Sequence, residues 1–173
     1  MEKIFLVFLI TIFFLNAGYL FSQPDTSLKT PELIPYRKGD KWGFCNMDKR
    51  IIIPVKYDEA IPFREELAAV KLNHKWGFVD KKGIEVIPLN YDKTGEFSEG
   101  LAKVYLNSKW GFIDKEGKEV ILLIYDEAKE FREELAAVKL IDKFGFVDKV
   151  GKEVISLDYD VVSNFIGGLA KVI

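Results

Sequence analysis

The stretch FREELAAVKL decides the fold of this chain, and it occurs twice, at Phe63–Leu72 and at Phe131–Leu140. Read alone it favours a helix, because Arg, Glu, Leu, Ala and Lys are good helix formers. Two related stretches, at Phe97–Leu106 and Phe165–Ile173, place glycine where the helix interior would be, at a cost of about 1 kcal/mol each. All four copies instead keep an apolar residue at every second position, as in Ala68–Leu72. This alternation predicts a strand with one buried face.

The four stretches belong to a repeat of 34 residues that runs without insertion through residues 39–173. Fixed self-similarity of this kind indicates a repeat architecture. We place the units at about 40–73, 74–107, 108–141 and 142–173. Units one and three are near copies, which suggests that a block of two units was duplicated.

Each unit is predicted to contain three strands. A short aromatic strand such as Lys75–Asp80 is followed by a turn of the form Asp-x-x-Gly, which fits a type I turn closed by a left-handed glycine. Unit one has Asn46 and Lys49 at those places, so we expect its turn to be the least regular. A second strand and a polar loop then lead to the third strand. The prediction is an all-β, open stacked array of four three-stranded β-meanders, with a closed, propeller-like ring as the alternative.

The N-terminal 22 residues differ from the rest of the chain. Lys3 precedes an apolar run, Ile4–Leu15, which is shorter than the roughly 20 residues of a membrane span and is typical of a secretory signal. We expect residues 1–22 to be a signal peptide cleaved before Gln23 and the protein to be exported. The alternative is an uncleaved membrane anchor. Residues 23–38 contain three prolines and are interpreted as a linker.

Composition narrows the function classes. Lys and Arg number 25 against 27 Asp and Glu, so no clustered basic charge indicates nucleic-acid binding. The single histidine, His74, falls in a predicted turn, and the single cysteine, Cys45, falls at an apolar strand position. One cysteine excludes an intrachain disulfide and a cysteine-based zinc cluster. The recurring acids are isolated and flanked by lysine, which fits turn capping better than calcium sites. We therefore predict no catalytic residue, no metal and no cofactor.

The repeat resembles the WG-repeat family, which is named for its Trp-Gly pair. The pairs here are Trp42-Gly43, Trp76-Gly77 and Trp110-Gly111, with Phe144-Gly145 as a variant. The resemblance implies a bacterial β-repeat protein, often exported and with no assigned activity. The chain departs from the pattern at Phe144 and where proline is missing, at Leu122 and Ser156.

The aromatic residues are the main functional candidates. The tryptophans are interpreted as a core spine between stacked units. The tyrosines, each followed by aspartate, could form an exposed stripe suited to sugar rings or extended peptides: Tyr57, Asp58, Tyr91, Asp92, Tyr125, Asp126, Tyr159 and Asp160. We therefore expect an exported, non-enzymatic protein-interaction or scaffold module with an unknown protein partner. The alternative is an envelope-glycan binding module that uses the stripe, and buried tyrosine rings would argue against it.

Overall fold

A computed structural model describes the backbone of residues 3–6 and all atoms of residues 33–173. The described residues contain strands and turns and no helix. The strands are β1 Lys3–Leu6, β2 Ile34–Lys38, β3 Lys41–Cys45, β4 Ile51–Tyr57, β5 Glu59–Ala60, β6 Ala68–Leu72, β7 Lys75–Val79, β8 Glu85–Tyr91, β9 Lys93–Thr94, β10 Ala102–Leu106, β11 Lys109–Ile113, β12 Glu119–Tyr125, β13 Glu127–Ala128, β14 Ala136–Leu140, β15 Lys143–Val147, β16 Glu153–Tyr159 and β17 Leu169–Val172. The all-β prediction is confirmed.

The sheets are offset from the sequence units. Each inner sheet joins a two-residue strand and the third strand of one unit to the first two strands of the next, in the antiparallel order β5-β6-β7-β8, and likewise for the two later sheets. The first three units therefore each have one short strand more than the three predicted: β5, β9 and β13. The third strand and the following first strand form a hairpin across a two-residue turn. In the turn between β6 and β7, Asn73 and His74 have φ angles of 51° and 67°, as a type I′ turn requires. A sequence unit therefore contributes strands to two sheets, which links the sheets covalently.

The Asp-x-x-Gly turns have the predicted geometry. Gly83 has a φ of 80°, and Asp80 Oδ1 accepts hydrogen bonds from the backbone N–H groups of Lys82 and Ile84, both at 2.9 Å. The expectation that the first turn is the least regular is wrong. Asn46 Oδ1 accepts the equivalent pair of bonds at 3.1 and 2.9 Å, and Lys49 takes the left-handed conformation with a φ of 61°.

The core lies between successive sheets. One cluster lies between the first and second sheets, another between the second and third, and another between the third and fourth. A last cluster packs β14 and β15 against the C-terminal segment. In the described part of the chain, the first and last sheets share no cluster, so the array is open and the closed-ring alternative is wrong. The expectation of one buried face is also wrong. Ala68 and Val70 pack toward the first sheet whereas Ala69 packs toward the third, because an inner sheet is covered on both sides.

Both ends of the array carry an added strand. β2 lies in the last residues of the predicted linker and pairs with β3, so the folded part begins before Gly39. At the other end, β17 is the third strand of the fourth unit, and β1 pairs with it antiparallel. Apart from β1, the predicted signal peptide lies outside the described residues, as does the predicted linker before Leu33.

The duplicated decapeptide is part turn and part strand. Its strand, β6 in the first copy, begins only at Ala68. Before it, Arg64 and Leu67 form an isolated bridge around Glu65 and Glu66, whose φ angles are 49° and 79°. The glycines that argued against a helix stand in the equivalent turns, for example Gly100 with a φ of 89°. We name the four equivalent turns, Arg64–Leu67, Ser98–Leu101, Arg132–Leu135 and Ile166–Leu169, the turn row.

Candidate functional site

The Trp-Gly pairs are built into the packing between sheets. Trp76 is 9% exposed and lies in the cluster between the second and third sheets. Lys71 Nζ lies 5.6 Å from the centroid of the Trp76 ring, so its cation covers the ring's outer face. The first and third tryptophans and Phe144 are half-buried and pack against the neighbouring clusters. These rings are therefore placed to support stacking.

The glycine of each pair allows a close backbone approach. A Cβ atom built on Gly77 would lie 2.5 Å from the carbonyl oxygen of Ile87 and 2.7 Å from the carbonyl carbon of Pro88. The register between β7 and β8 is interrupted between Trp76 and Phe78, and this bulge carries the β8 backbone over the glycine. The same overlap recurs at Gly43, Gly111 and Gly145. The backbone of the neighbouring strand therefore lies where a side chain would begin at each of these glycines.

The tyrosine rings do not form an exposed stripe. Tyr57, Tyr91 and Tyr125 are 2%, 9% and 6% exposed, and Tyr159 is half-buried. Burial raises the pKa of Tyr91, with a smaller contribution from the charge of Glu119. A buried ring cannot stack on a sugar, so the expectation of an exposed aromatic stripe is wrong for these three tyrosines.

The aspartates of the expected stripe hold the fold together. Asp58 Oδ1 accepts a hydrogen bond of 2.5 Å from Lys41 Nζ, and its other oxygen accepts one of 2.8 Å from the backbone N–H of Asn73. The Lys41 hydrogen bond is the main cause of a lowered pKa at the Asp58 carboxyl. The Lys–Asp pair recurs in every unit, at Lys75–Asp92, Lys109–Asp126 and Lys143–Asp160. Asp58 and Asp126 also accept a backbone hydrogen bond, and each of these two carboxylates therefore ties the ends of three strands together.

The single histidine and the single cysteine have the positions that the sequence predicts. His74 is exposed in the turn between β6 and β7. Cys45 is 2% exposed and unpaired. Within residues 33–173, no group of three or more His, Cys, Asp or Glu side chains is placed to hold a metal ion. Over the same part of the chain, no helix is long and apolar enough to cross a membrane.

The turn row contains a set of contacts that sequence reasoning missed. Glu99 accepts hydrogen bonds from the backbone N–H groups of Glu133 and Glu134, at 2.7 and 2.9 Å. Glu133 in turn accepts bonds from Gly167 and Gly168, at 2.6 and 2.7 Å. A glutamate at the first central position of each of the first three turns therefore binds the next turn along the array, as Glu65 does through the backbone N–H of Gly100. The recurrence of glutamate at 34-residue intervals, at Glu65, Glu99 and Glu133, was the feature of the sequence that could have predicted these contacts.

Two open clefts lie along the turn row. One, of about 330 Å³, is lined by Arg64, Glu65, Glu96, Phe97, Ser98, Glu130 and Arg132. The other, of about 530 Å³, is lined by Glu99, Arg132, Glu133, Asn164, Phe165 and Ile166. Arg132 borders both clefts. The clefts therefore combine charged groups with aromatic side chains along one side of the array.

The long second strands form a different exposed surface. β4, β8, β12 and β16 each stand at the edge of a sheet, and each has a partly exposed apolar side chain at the same position or one nearby. Ile52 is 42% exposed, Val86 38% and Val154 47%. β12 is the most apolar, with Leu122 at 62% and Ile124 at 42%. We name these four strands the outer edge strands.

These features define a tandem β-repeat protein: the units stack, each Trp-Gly pair lies under a bulged neighbouring strand, and successive turns of the turn row bind one another. The family model described as WG containing repeat matches residues 42–76, 76–110, 110–143 and 144–173. The chain therefore belongs to the WG containing repeat family. No curated protein and no solved structure matches the chain.

Proposed function

We propose that this chain is an exported, non-enzymatic module that binds another protein through its outer edge strands. The observation that carries the proposal is the recurrence of exposed apolar side chains on open sheet edges. An open edge offers unpaired backbone groups to an incoming strand. Exposed apolar groups add the contact area that such strand addition needs.

The contact is centred on β12. Units one and two have Pro54 and Pro88 on their outer edge strands, and proline on an edge discourages strand pairing. Unit three has Leu122 at the equivalent position, with 62% of the side chain exposed. β12 therefore has a backbone N–H group and an exposed leucine side chain where its two predecessors have a proline without that N–H group.

The glycan alternative loses its main support because three of the four tyrosine rings are buried. A binding module for sugars needs accessible aromatic faces, and the outer edge strands have aliphatic side chains instead. The carboxylates of the expected stripe are also engaged, since each aspartate pairs with a lysine.

The export part of the proposal rests on Lys3 and the apolar run Ile4–Leu15. The mature protein is expected to begin near Gln23 and to lie outside the cytoplasm of a bacterial cell. N-terminal sequencing of secreted or periplasmic material checks this expectation. An intact Met1 on cytoplasmic protein would contradict it.

Site-specific photo-crosslinking tests the binding proposal. A photoreactive amino acid at Ile124, on β12, is expected to capture a defined protein partner in envelope extract. The matched variant is Leu122→Pro, because Pro88 shows that the equivalent backbone accepts proline. A Cβ atom built on Gly77 would lie 2.7 Å from the carbonyl group of Pro88, and one built on Gly111 would lie 2.8 Å from that of Leu122.

Leu122→Pro is expected to leave the melt unchanged within about 1 kcal/mol and to reduce the crosslink at least fivefold. Equal crosslinking with and without the proline would refute binding at β12. A glycan-array signal that Tyr159→Ala abolishes would favour the alternative function.

A further inference from the structure

Arg132 differs from its counterpart in unit one because its ion-pair partner has been replaced. In unit one, Arg64 Nε lies 3.0 Å from Glu96 Oε2. The residue equivalent to that glutamate beside Arg132 is Asn164. We propose that the cleft beside Arg132 binds a carboxylate group of a partner polypeptide, an inference that rests on the proposed protein-binding function.

The guanidinium of Arg132 is available for a ligand. Among the residues that the structure describes, it makes no hydrogen bond or ion pair. Its positive charge contributes to lowering the pKa of Glu130. Burial of Glu130 favours the neutral carboxyl, yet its pKa is lowered on balance by a backbone hydrogen bond, by Lys103 and, to the smallest extent, by Arg132. Lys103 Nζ holds Glu130 at 3.0 Å, so Glu130 already has a cation of its own.

The acids in the same cleft are also engaged. Both oxygens of Glu133 accept backbone hydrogen bonds from the last turn. Both oxygens of Glu99 accept backbone hydrogen bonds from the turn after it, at Glu133 and Glu134, and Lys149 lies 3.6 Å from one of them. Arg132 is therefore the charged side chain lining this cleft whose hydrogen-bonding groups remain unused within residues 33–173.

The shape of the cleft suits a carboxylate next to an apolar group. The cleft measures about 530 Å³ and opens to solvent. Phe165, 4% exposed, and Ile166, 80% exposed, line the cleft with apolar side chains. The side-chain amide of Asn164 adds a second hydrogen-bond donor beside the guanidinium.

The chain itself indicates the class of ligand. Glu96 shows that the equivalent arginine, Arg64, pairs with a carboxylate across the same kind of turn. An arginine fork matches a carboxylate with two parallel hydrogen bonds. Glu99 and Glu133 line the same cleft, and their charges oppose a phosphate dianion more strongly than a carboxylate with one charge. The ligand is thus an acidic side chain or a C-terminal carboxylate.

Nuclear magnetic resonance of the arginine Nε–Hε groups tests the site. The chain has four arginines, at positions 37, 50, 64 and 132, so the signals are few. The probes are acetyl-Gly-Glu-Phe-Gly-amide, the same peptide with Gln, acetyl-Gly-Gln-Phe with a free C-terminus, and inorganic phosphate. The Arg132 signal is expected to shift with either carboxylate peptide and not with the Gln amide, while the paired Arg64 signal stays in place.

Two variants complete the test. Arg132→Gln is expected to weaken binding at least about tenfold, because a hydrogen bond to a charged group is lost. Asn164→Glu supplies an internal carboxylate and is expected to block the probe to a similar extent. Arg64→Gln is the matched control and is expected to change nothing.

Three results would overturn the proposal: equal binding of the Gln amide peptide, preference for phosphate, or an Arg132→Gln variant that binds within twofold of the parent. The test is independent of the crosslinking at β12. A site that binds carboxylates without any β12 crosslink would leave this proposal standing and refute the proposed edge-strand function.

Discussion

Replacing Gly77 with alanine tests the explanation of the Trp-Gly pair most directly. The added Cβ would lie 2.5 Å from the carbonyl oxygen of Ile87, whereas ordinary van der Waals contact begins at 3.4 Å. The backbone of β8 must therefore move by about 0.9 Å, or β7 must move away from it. Neither shift is easy, since Phe78 on β7 and Ile87 on β8 are each 1% exposed in the same core cluster.

The expected cost is about 2–4 kcal/mol, because overpacking a core costs typically 1–3 kcal/mol and the obstacle here is backbone rather than a side chain. Alanine would otherwise gain about 0.5–1 kcal/mol over glycine in a strand, so the sign of the effect is informative. Urea unfolding followed by tryptophan fluorescence measures it.

The matched control is Gly95→Ala. There the new Cβ meets the Cγ and Cε atoms of Lys103 at 3.0 and 3.1 Å, and a flexible side chain can move. A loss of no more than about 1 kcal/mol is expected at Gly95. If Gly77→Ala unfolds at the same urea concentration as the parent, the close approach of β8 does not explain the glycine, and the argument is refuted.

Four further predictions follow from the packing and the charges. Trp76→Ala should cost about 3–5 kcal/mol in the same urea assay, and a change within about 0.5 kcal/mol would mean that the ring is not part of the core. Lys49→Gly should stabilise the chain by up to about 1 kcal/mol, since it removes a left-handed non-glycine residue; a lower melting temperature would contradict the assigned turn. The pKa of Asp126 is lowered mainly by its hydrogen bond to Lys109, so its contribution to stability is present above the unfolded value near 3.8 and is lost as the pH falls through the folded value. Asp126→Asn should therefore flatten the acid limb of a pH–stability curve, and an unchanged acid limb would count against the pair. Compared with the unprocessed chain, a chain that begins at Gln23 should show faster hydrogen exchange in Leu169–Val172, because it lacks β1; equal exchange rates would show that β1 does not protect β17.

The repeat period and the strands could be read from the sequence because they depend on local chemistry. An alternating apolar pattern and a glycine at the fourth turn position act over a few residues. The position of Gly83 in the left-handed region is such a case. The strand limits inside Phe63–Leu72 could not be read in the same way, since the turn at Glu65 and Glu66 uses two residues that favour helices.

The contacts between units were beyond the sequence pattern because they join residues about one repeat apart. The bond from Gly167 to Glu133 spans 34 residues, and no local propensity records it. The burial of Tyr91 and Ala69 also depends on a neighbouring sheet. A period-two pattern indicates that one face is covered, but it cannot tell that stacking covers the other face as well.

The two copies of FREELAAVKL show where function can arise in a chain of near-identical units. Both copies place arginine at the start of a tight turn and glutamate at its first central position. The next unit supplies Glu96 to the first copy and Asn164 to the second, so one arginine is neutralised and the other is not. Two identical segments therefore differ in the charge that they leave unpaired, because the residue that the next unit places beside the arginine differs. The same holds on the outer edge strands, where Leu122 replaces a proline. Residues that preserve the repeat stabilise the stack, because their contacts recur from unit to unit. A residue that departs from the repeat leaves one hydrogen-bond donor, strand edge or apolar group without the partner that it has in the other units. In this chain Asn164 and Leu122 are two such departures, and each lies beside a surface at which we propose that another protein binds.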